Sequence, residues 1–245
     1  MITPRRAEER QHVRRHRQDA WLTFRAQDQA DPFAGGFGAL CILNEDLLPP
    51  GVGVLPYSQP EAEVVTYVLE GALAQKDSVG SWAAIGAGEF QRMICKHGVR
   101  HSASNASRVQ WAHIFQMWLR PGPTRLEPSH EQRRFSAAQR RGTLCVVASP
   151  DGRNESLRLR EDVVIFSALL DEGQHLIHEL GPKRSAWLHI VSGEVGLADL
   201  VLTAGDGVGI TAERAVSLTA REKTELLLFD LPEDTRPSTP VGAIA

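Results

Sequence analysis

Short apolar runs rich in β-branched residues recur along the whole chain and are separated by Gly, Pro and Asp. Two of the clearest are EVVTYVL at residues 63–69 and WAHIFQMW at residues 111–118. Runs of this length, bounded by turn-forming residues, are typical of the strands of β-sandwiches and β-barrels. Helical periodicity is scarce, and the best stretch, residues 4–16, is too polar to present an apolar stripe. The pattern therefore predicts an all-β fold.

An approximate internal repeat links the two halves of the chain. The first copy reads VLEGAL at residues 68–73 and then AGE at 87–89, and the second reads IVSGEV at 190–195 and then AGD at 204–206. The offset is about half the chain, whereas the repeats of a solenoid are far shorter. The central Gly of each copy permits a tight turn between two strands. We interpret the repeat as two similar β domains.

The segment RPGPTRLEPS at residues 120–129 separates the two copies. Its three prolines and one glycine cannot continue a helix or a central strand. We therefore predict an N-terminal domain over residues 1–125, a linker over 126–145 and a C-terminal domain over 146–245.

The charge balance gives the chain no general attraction to nucleic acid or to anionic membranes. Its 245 residues carry a formal net charge of -3, with 42% hydrophobic and 23% charged residues, as is ordinary for a compact globular protein. A basic stretch at residues 5–17 is interrupted by Glu8 and Glu9 and contains no aromatic residue. We interpret it as a solvated face or as an interdomain salt-bridge strip, and we expect neither a nucleic-acid nor a membrane partner.

The first residues of the chain and its cysteines indicate the cellular compartment in which we expect the protein. Charged residues stand where a secretory signal would be apolar, and no apolar segment is long enough to span a bilayer. Cys41, Cys95 and Cys145 lie far apart and form no CxxC pair. We expect reduced thiols and a cytoplasmic location.

Distinctive short segments are spread over nearly the whole chain. They are DPFAGGF at residues 31–37, TYVLEG at 66–71, GVRHS at 98–102, EQRRF at 131–135 and LLFDLP at 227–232. In this order they resemble the pirin family, the two-domain branch of the cupin superfamily. The resemblance implies two cupin-type β-barrels or sandwiches in one chain, a bicupin.

The resemblance also implies a metal site in the N-terminal barrel. In the family, a His-x-His pair on one strand and a His-x-Glu pair on another hold a divalent metal, commonly iron. Alternate residues of a strand point to the same face, so each pair aims both side chains into the barrel. Imidazole and carboxylate ligands suit iron, and open positions admit substrate or dioxygen.

This sequence departs from that ligand pattern at three of the four positions. The first pair falls on Leu55 and Tyr57, and the second falls on His101 and Ala103. Leucine and alanine have no lone pair to offer, and a tyrosine oxygen binds a metal well only as phenolate. His101 is retained by itself, so we expect no resident metal cofactor.

A displaced metal site is the alternative that the sequence leaves open. His101 would hold the metal, such as iron, together with Glu63, His97 or His113. His113 alternates with Phe115 along one strand, as does a hydrogen-bonded core histidine. In the C-terminal half, the histidines form no His-x-His pair and are interpreted as core or solvated residues: His175, His178 and His189.

The substitutions predict a small, less polar cavity. Its predicted lining residues are Leu55, Tyr57, His101, Ala103 and His113. A concave apolar site with a few polar groups suits a small apolar or aromatic ligand. We therefore predict a pirin-like bicupin that lacks the canonical metal centre and acts as a small-molecule-binding or regulatory protein. The alternative is a metal-dependent dioxygenase of the quercetin-cleaving type with a non-canonical ligand set, and no protein partner is identified.

Overall fold

A computed structural model of the chain describes residues 1–15, 17–24, 30–54, 62–77, 82–95, 101–120 and 129–233. Most of these residues form β-strands, as predicted, with one four-residue α-helix and two short 3₁₀ helices at Ala7–Glu9 and Arg153–Glu155. In chain order the elements are β1 (Ile2–Arg5), β2 (Gln11–Arg15), β3 (Gln18–Leu22), β4 (Leu40–Leu48), β5 (Ala62–Glu70), β6 (Ala72–Asp77), β7 (Trp82–Gly86), β8 (Glu89–Cys95), β9 (His101–Asn105), β10 (Ala112–Leu119), β11 (His130–Arg134), α1 (Ala137–Arg140), β12 (Cys145–Ser149), β13 (Leu157–Arg158), β14 (Val164–Leu170), β15 (His175–Glu179), β16 (Arg184–Ser192), β17 (Glu194–Leu197), β18 (Leu200–Thr203), β19 (Gly207–Ile210), β20 (Ala215–Ala220) and β21 (Thr224–Pro232).

The chain divides into two compact units. The N-terminal unit comprises the described residues of 11–36 and 40–134, and the C-terminal unit comprises residues 1–10, 37–39 and 135–233. Residues 1–10 were predicted to belong to the N-terminal domain, but they belong to the C-terminal unit because β1 pairs with β19. The predicted linker range holds β11, which pairs with β8 of the N-terminal unit, and α1.

The N-terminal unit contains two antiparallel sheets. The larger has seven strands in the order β11-β8-β5-β10-β4-β3-β2, and the smaller has the order β7-β6-β9. A core cluster lies between them, with contributions from both sheets. Its buried members are Leu48, Val68, Leu73, Ile85, Ala112 and Ile114.

The C-terminal unit also contains two sheets, in which the described strand pairs are antiparallel except for β12 and the short β13. A seven-stranded sheet has the order β1-β19-β16-β21-β14-β12-β13, and a four-stranded sheet has the order β15-β20-β17-β18. Its core cluster includes Phe166, Leu188, Val208 and Leu228. No helix in the described part of the chain is long and apolar enough to cross a membrane.

The internal repeat seen in the sequence has a matching backbone geometry in the two units. The amide of Gly88 donates to the carbonyl of Val68 over 2.9 Å, and the amide of Gly205 donates to the carbonyl of Ile190 over 2.8 Å. These are corresponding positions of the two copies. The hydrogen bonds therefore support the interpretation of the repeat as a duplicated β domain.

The two turn glycines of the repeat also correspond. Gly71 joins β5 to β6 with φ +75, and Gly193 joins β16 to β17 with φ +85. A Cβ atom on Gly71 would come within 2.9 Å of the Ala112 Cα, and one on Gly193 within 2.7 Å of the Thr224 Cα. Both positions require glycine for its backbone conformation and for space.

Candidate functional site

Ala103 lies at the centre of the predicted site in an apolar environment. It is in β9, opposite Gln75 of β6. Its partly buried side chain packs, together with Val54, against the core cluster of the N-terminal unit. The position to which the resemblance assigns a carboxylate ligand therefore carries a methyl group among hydrocarbon side chains.

The structure locates the other predicted residues of the site only in part. His101 begins β9, and its backbone lies opposite Asp77 of β6. Leu55, Tyr57 and His97 lie outside the described residues.

His113 does not border the predicted pocket beside Ala103. It alternates along β10 with Ala112 and Ile114, which belong to the cluster that Ala103 contacts, so His113 points to the opposite face of the sheet. There its Nε2 lies 2.8 Å from Glu45 Oε1, and its ring stacks on Phe115 with centroids 5.4 Å apart. His113 is therefore a partly buried histidine with a hydrogen-bond partner on the neighbouring strand.

Glu63 is likewise separated from Ala103. It alternates on β5 with Val64, whose side chain packs in a second apolar cluster of the unit, and it is fully buried. Arg92 Nη1 lies 3.9 Å from Glu63 Oε1. Along β10, Glu63 pairs with Leu119 and His113 pairs with Glu70, so the two proposed ligands lie at opposite ends of the strand pair. Within the described ranges, no three His, Cys, Asp or Glu side chains gather where they could hold a metal ion.

A row of buried polar side chains crosses the large sheet of the N-terminal unit. Gln91, Thr66, Gln116 and Asn44 lie opposite one another on β8, β5, β10 and β4. They are between 1% and 6% exposed. The row shares its face with Val68 and Ile114 of the core cluster, so it faces the interior. We call these four residues the polar row.

Asp46 lies beside the polar row on the same face of β4. It is opposite Ile114, is 0% exposed and accepts a hydrogen bond from Gln18 Nε2 over 2.7 Å. Burial raises the pKa of Asp46 to about 7, although the Gln18 hydrogen bond acts in the opposite direction. The remaining oxygen, Oδ2, has no hydrogen-bond partner among the described residues.

The buried polar row and Asp46 were not predicted from the sequence. The available signal was a polar residue at every second position of otherwise apolar strands, such as Thr66 in EVVTYVL and Gln116 in HIFQMW. Such residues are normally assigned to the solvated face of a sheet. Burial on the interior face can be recognised only once the strand pairing is known.

The histidines of the C-terminal unit have local partners. His175 Nε2 lies 2.9 Å from Ser217 Oγ, and His178 Nε2 lies 2.8 Å from Asp230 Oδ2. Burial alone would raise the pKa of Asp230, but hydrogen bonds from His178 and Arg184 outweigh it and lower the pKa. His189 is fully buried.

Comparison with known proteins covers both units. A family model described as Pirin matches residues 5–119, and one described as Quercetinase C-terminal cupin domain matches residues 146–231. The chain is 36% identical over 232 residues to the quercetin 2,3-dioxygenase of Escherichia coli (strain K12), covering 95% of this chain and 99% of that protein. It is 32% identical over 201 residues to a pirin-like protein of Caulobacter vibrioides, covering 82% and 86%.

The fold is also similar to that of a solved pirin structure. The crystal structure of the bacterial pirin YhhW from Escherichia coli in complex with nickel(II) superposes with a TM-score of 0.87 at 35% identity. The match covers 96% of this chain and all of that chain (100%).

Proposed function

The chain belongs to the pirin family, and we propose that it is a bicupin that binds a small apolar or aromatic molecule in its N-terminal barrel without the family's canonical metal centre. A regulatory role through ligand binding is compatible with this activity. The proposal depends above all on one observation, the apolar packing of Ala103.

The side chains at the four family positions do not fit a divalent metal. Ala103 has no ligand atom, and its neighbours are the hydrocarbon side chains of Val54 and the core cluster. The sequence places Leu55 and Tyr57 at two further ligand positions, and leucine has no lone pair. One imidazole, His101, is insufficient because metal sites of this kind need at least three protein ligands.

The same substitutions favour an organic ligand. Replacement of a carboxylate by a methyl group removes both charge and volume, and Val54 and Ala103 then contribute apolar surface to the barrel interior. Ligand pockets are typically lined by apolar side chains with a small number of polar groups that fix orientation.

A second candidate function is a metal-dependent dioxygenase of the kind named in the relatives. It is supported by the relative called quercetin 2,3-dioxygenase at 36% identity and by the nickel(II) complex of a pirin at 35% identity. It requires a ligand set other than the family's, built around His101.

Quercetin binding and oxygen uptake by the full chain distinguish the two functions. We expect saturable quenching of tryptophan fluorescence by quercetin that EDTA leaves unchanged, and no oxygen uptake above buffer with added Fe²⁺ or Ni²⁺. Oxygen uptake that needs the metal, is abolished in His101→Ala and is retained in the exposed control His130→Ala would establish the dioxygenase instead.

A further inference from the structure

The polar row has a direct internal comparison, because the C-terminal unit duplicates the fold. When Val68 is matched to Ile190 and Gly88 to Gly205, as their equivalent hydrogen bonds require, Thr66 corresponds to Leu188. The strand pairings extend this match across the seven-stranded sheet of each unit, because the residues of the polar row are directly opposed to one another and so are their counterparts in the C-terminal unit. In the order Gln91, Thr66, Gln116 and Asn44, the corresponding residues are Val208, Leu188, Leu228 and Phe166.

All four corresponding residues belong to the hydrophobic core of the C-terminal unit. By the same register, Asp46 corresponds to Ala168, which is also a core residue. The fold can therefore form with apolar side chains at these five positions. The stability of the fold therefore does not explain why the N-terminal unit has polar residues at these positions.

The polar side chains carry unmatched acceptor atoms. Asp46 Oδ2, Gln91 Oε1 and Gln116 Oε1 are buried and have no hydrogen-bond partner within the described part of the chain. A buried polar atom without a hydrogen-bond partner destabilises the folded chain. A ligand that donates hydrogen bonds to these atoms would remove that cost on binding.

We propose that Gln91, Gln116 and Asp46 are specificity-determining residues that form hydrogen bonds with hydroxyl groups of the bound molecule, with the two glutamine amide oxygens as acceptors. This inference rests on the proposed ligand-binding function and deepens it. Gln91 and Gln116 lie two strands apart, about 10 Å between backbones. Val68 and Ile114 flank the row with apolar surface. The site therefore selects an aromatic molecule that carries hydroxyl groups at well-separated positions over an equally large one without them.

The test compares quercetin, which has hydroxyl groups, with flavone, which has the same ring system without them. Dissociation constants are measured on the full chain by fluorescence quenching. The variants Gln116→Leu and Gln91→Val introduce the residues that the C-terminal unit uses at the same positions. Each should weaken quercetin binding by about five- to tenfold and leave flavone binding unchanged or stronger. The exposed Gln110→Leu is the matched control and should change neither.

Stability provides the second measurement. Because an unmatched buried amide is removed, unliganded Gln116→Leu should resist urea at least as well as the natural chain. If that variant does not fold, the isosteric Asp46→Asn replaces it and should also alter the ratio of quercetin to flavone affinity. An unchanged ratio in every folded variant would overturn the inference while leaving the proposed function intact. Failure of the natural chain to bind either compound would overturn both.

Discussion

At the residue scale, Asp46 shows how burial changes the chemistry of a carboxyl group. Its side chain is 0% exposed and accepts a hydrogen bond from Gln18, its one hydrogen-bond partner among the described residues. Removal from water disfavours the charged form, so the pKa rises to about 7, while the nearby negative charge of Glu45 raises it further. Asp46 can therefore be neutral inside the barrel at a pH where an exposed aspartate is charged.

Asp46 predicts a specific pH dependence of stability. Between about pH 4 and pH 7 the native state keeps a proton that the unfolded chain has released, so the unfolding free energy falls as pH rises through this window. The contribution is up to about 4 kcal/mol. Urea unfolding of the natural chain and of Asp46→Asn measures it. The advantage of the natural chain over the variant should shrink as pH rises, and parallel pH profiles would contradict this assignment.

Substitution of Gly71 should lower the unfolding free energy through a steric clash, and this effect can be separated from that of backbone strain. Gly71 and Gly51 have similar φ values, +75 and +70, but a Cβ atom would clash with the backbone of Ala112 at the first position and meet nothing within 4 Å at the second. Gly51→Ala should therefore lower the unfolding free energy by about 1 to 2 kcal/mol. Gly71→Ala should lower it by about 3 kcal/mol or more. Equal losses in chemical denaturation would show that the turn accommodates a side chain.

At the element scale, the short helix α1 is held to the C-terminal unit by a buried ion pair. Ser136 and Gln139 form a capping box at its start. At its end, Arg140 Nη1 donates to Glu225 Oε1 over 2.7 Å and to Ser167 Oγ over 3.2 Å. Arg140 thereby connects α1 to β21 and β14.

The two adjacent arginines of this element should differ in their effect on stability. Arg140→Met removes the partner of a buried carboxylate and should cost about 3 kcal/mol or more of unfolding free energy. Arg141→Met removes an exposed pair with Asp171 at 3.8 Å and should cost less than about 1 kcal/mol. Thermal or urea unfolding of both variants compares them, and similar losses would refute the structural role of Arg140.

The sequence predicted where strands occur. It predicted less well which face of the sheet each side chain points to. The runs at 63–69 and 111–118 correspond to β5 and β10, because alternating and β-branched residues favour extended backbone. His113 was predicted to line the pocket, but the structure places it on the opposite face of the sheet from Ala112 and Ile114, and the sequence does not show which face of a strand is the inner one. The burial of the polar row could not be predicted from the sequence for the same reason.

At the scale of the whole molecule, the duplicated fold allows one barrel to serve as a reference for the other. The C-terminal unit fills its interior row with Val208, Leu188, Leu228 and Phe166, whereas the N-terminal unit keeps polar residues. The repeat of VLEGAL and IVSGEV predicted this duplication from the sequence alone. The attachment of β1 to the C-terminal unit was not predictable, since pairing over some 200 residues leaves no local signal.

The central claim concerns the barrel interior, where apolar packing at Ala103 replaces a metal ligand. The most direct test is a calorimetric titration of Ni²⁺ into the chelator-treated full chain and into the triple variant Leu55→His, Tyr57→His, Ala103→Glu, which restores the family's ligand types. We predict no saturable stoichiometric site in the natural chain and stoichiometric uptake by the variant. A stoichiometric site in the natural chain that disappears in His101→Ala would contradict the account.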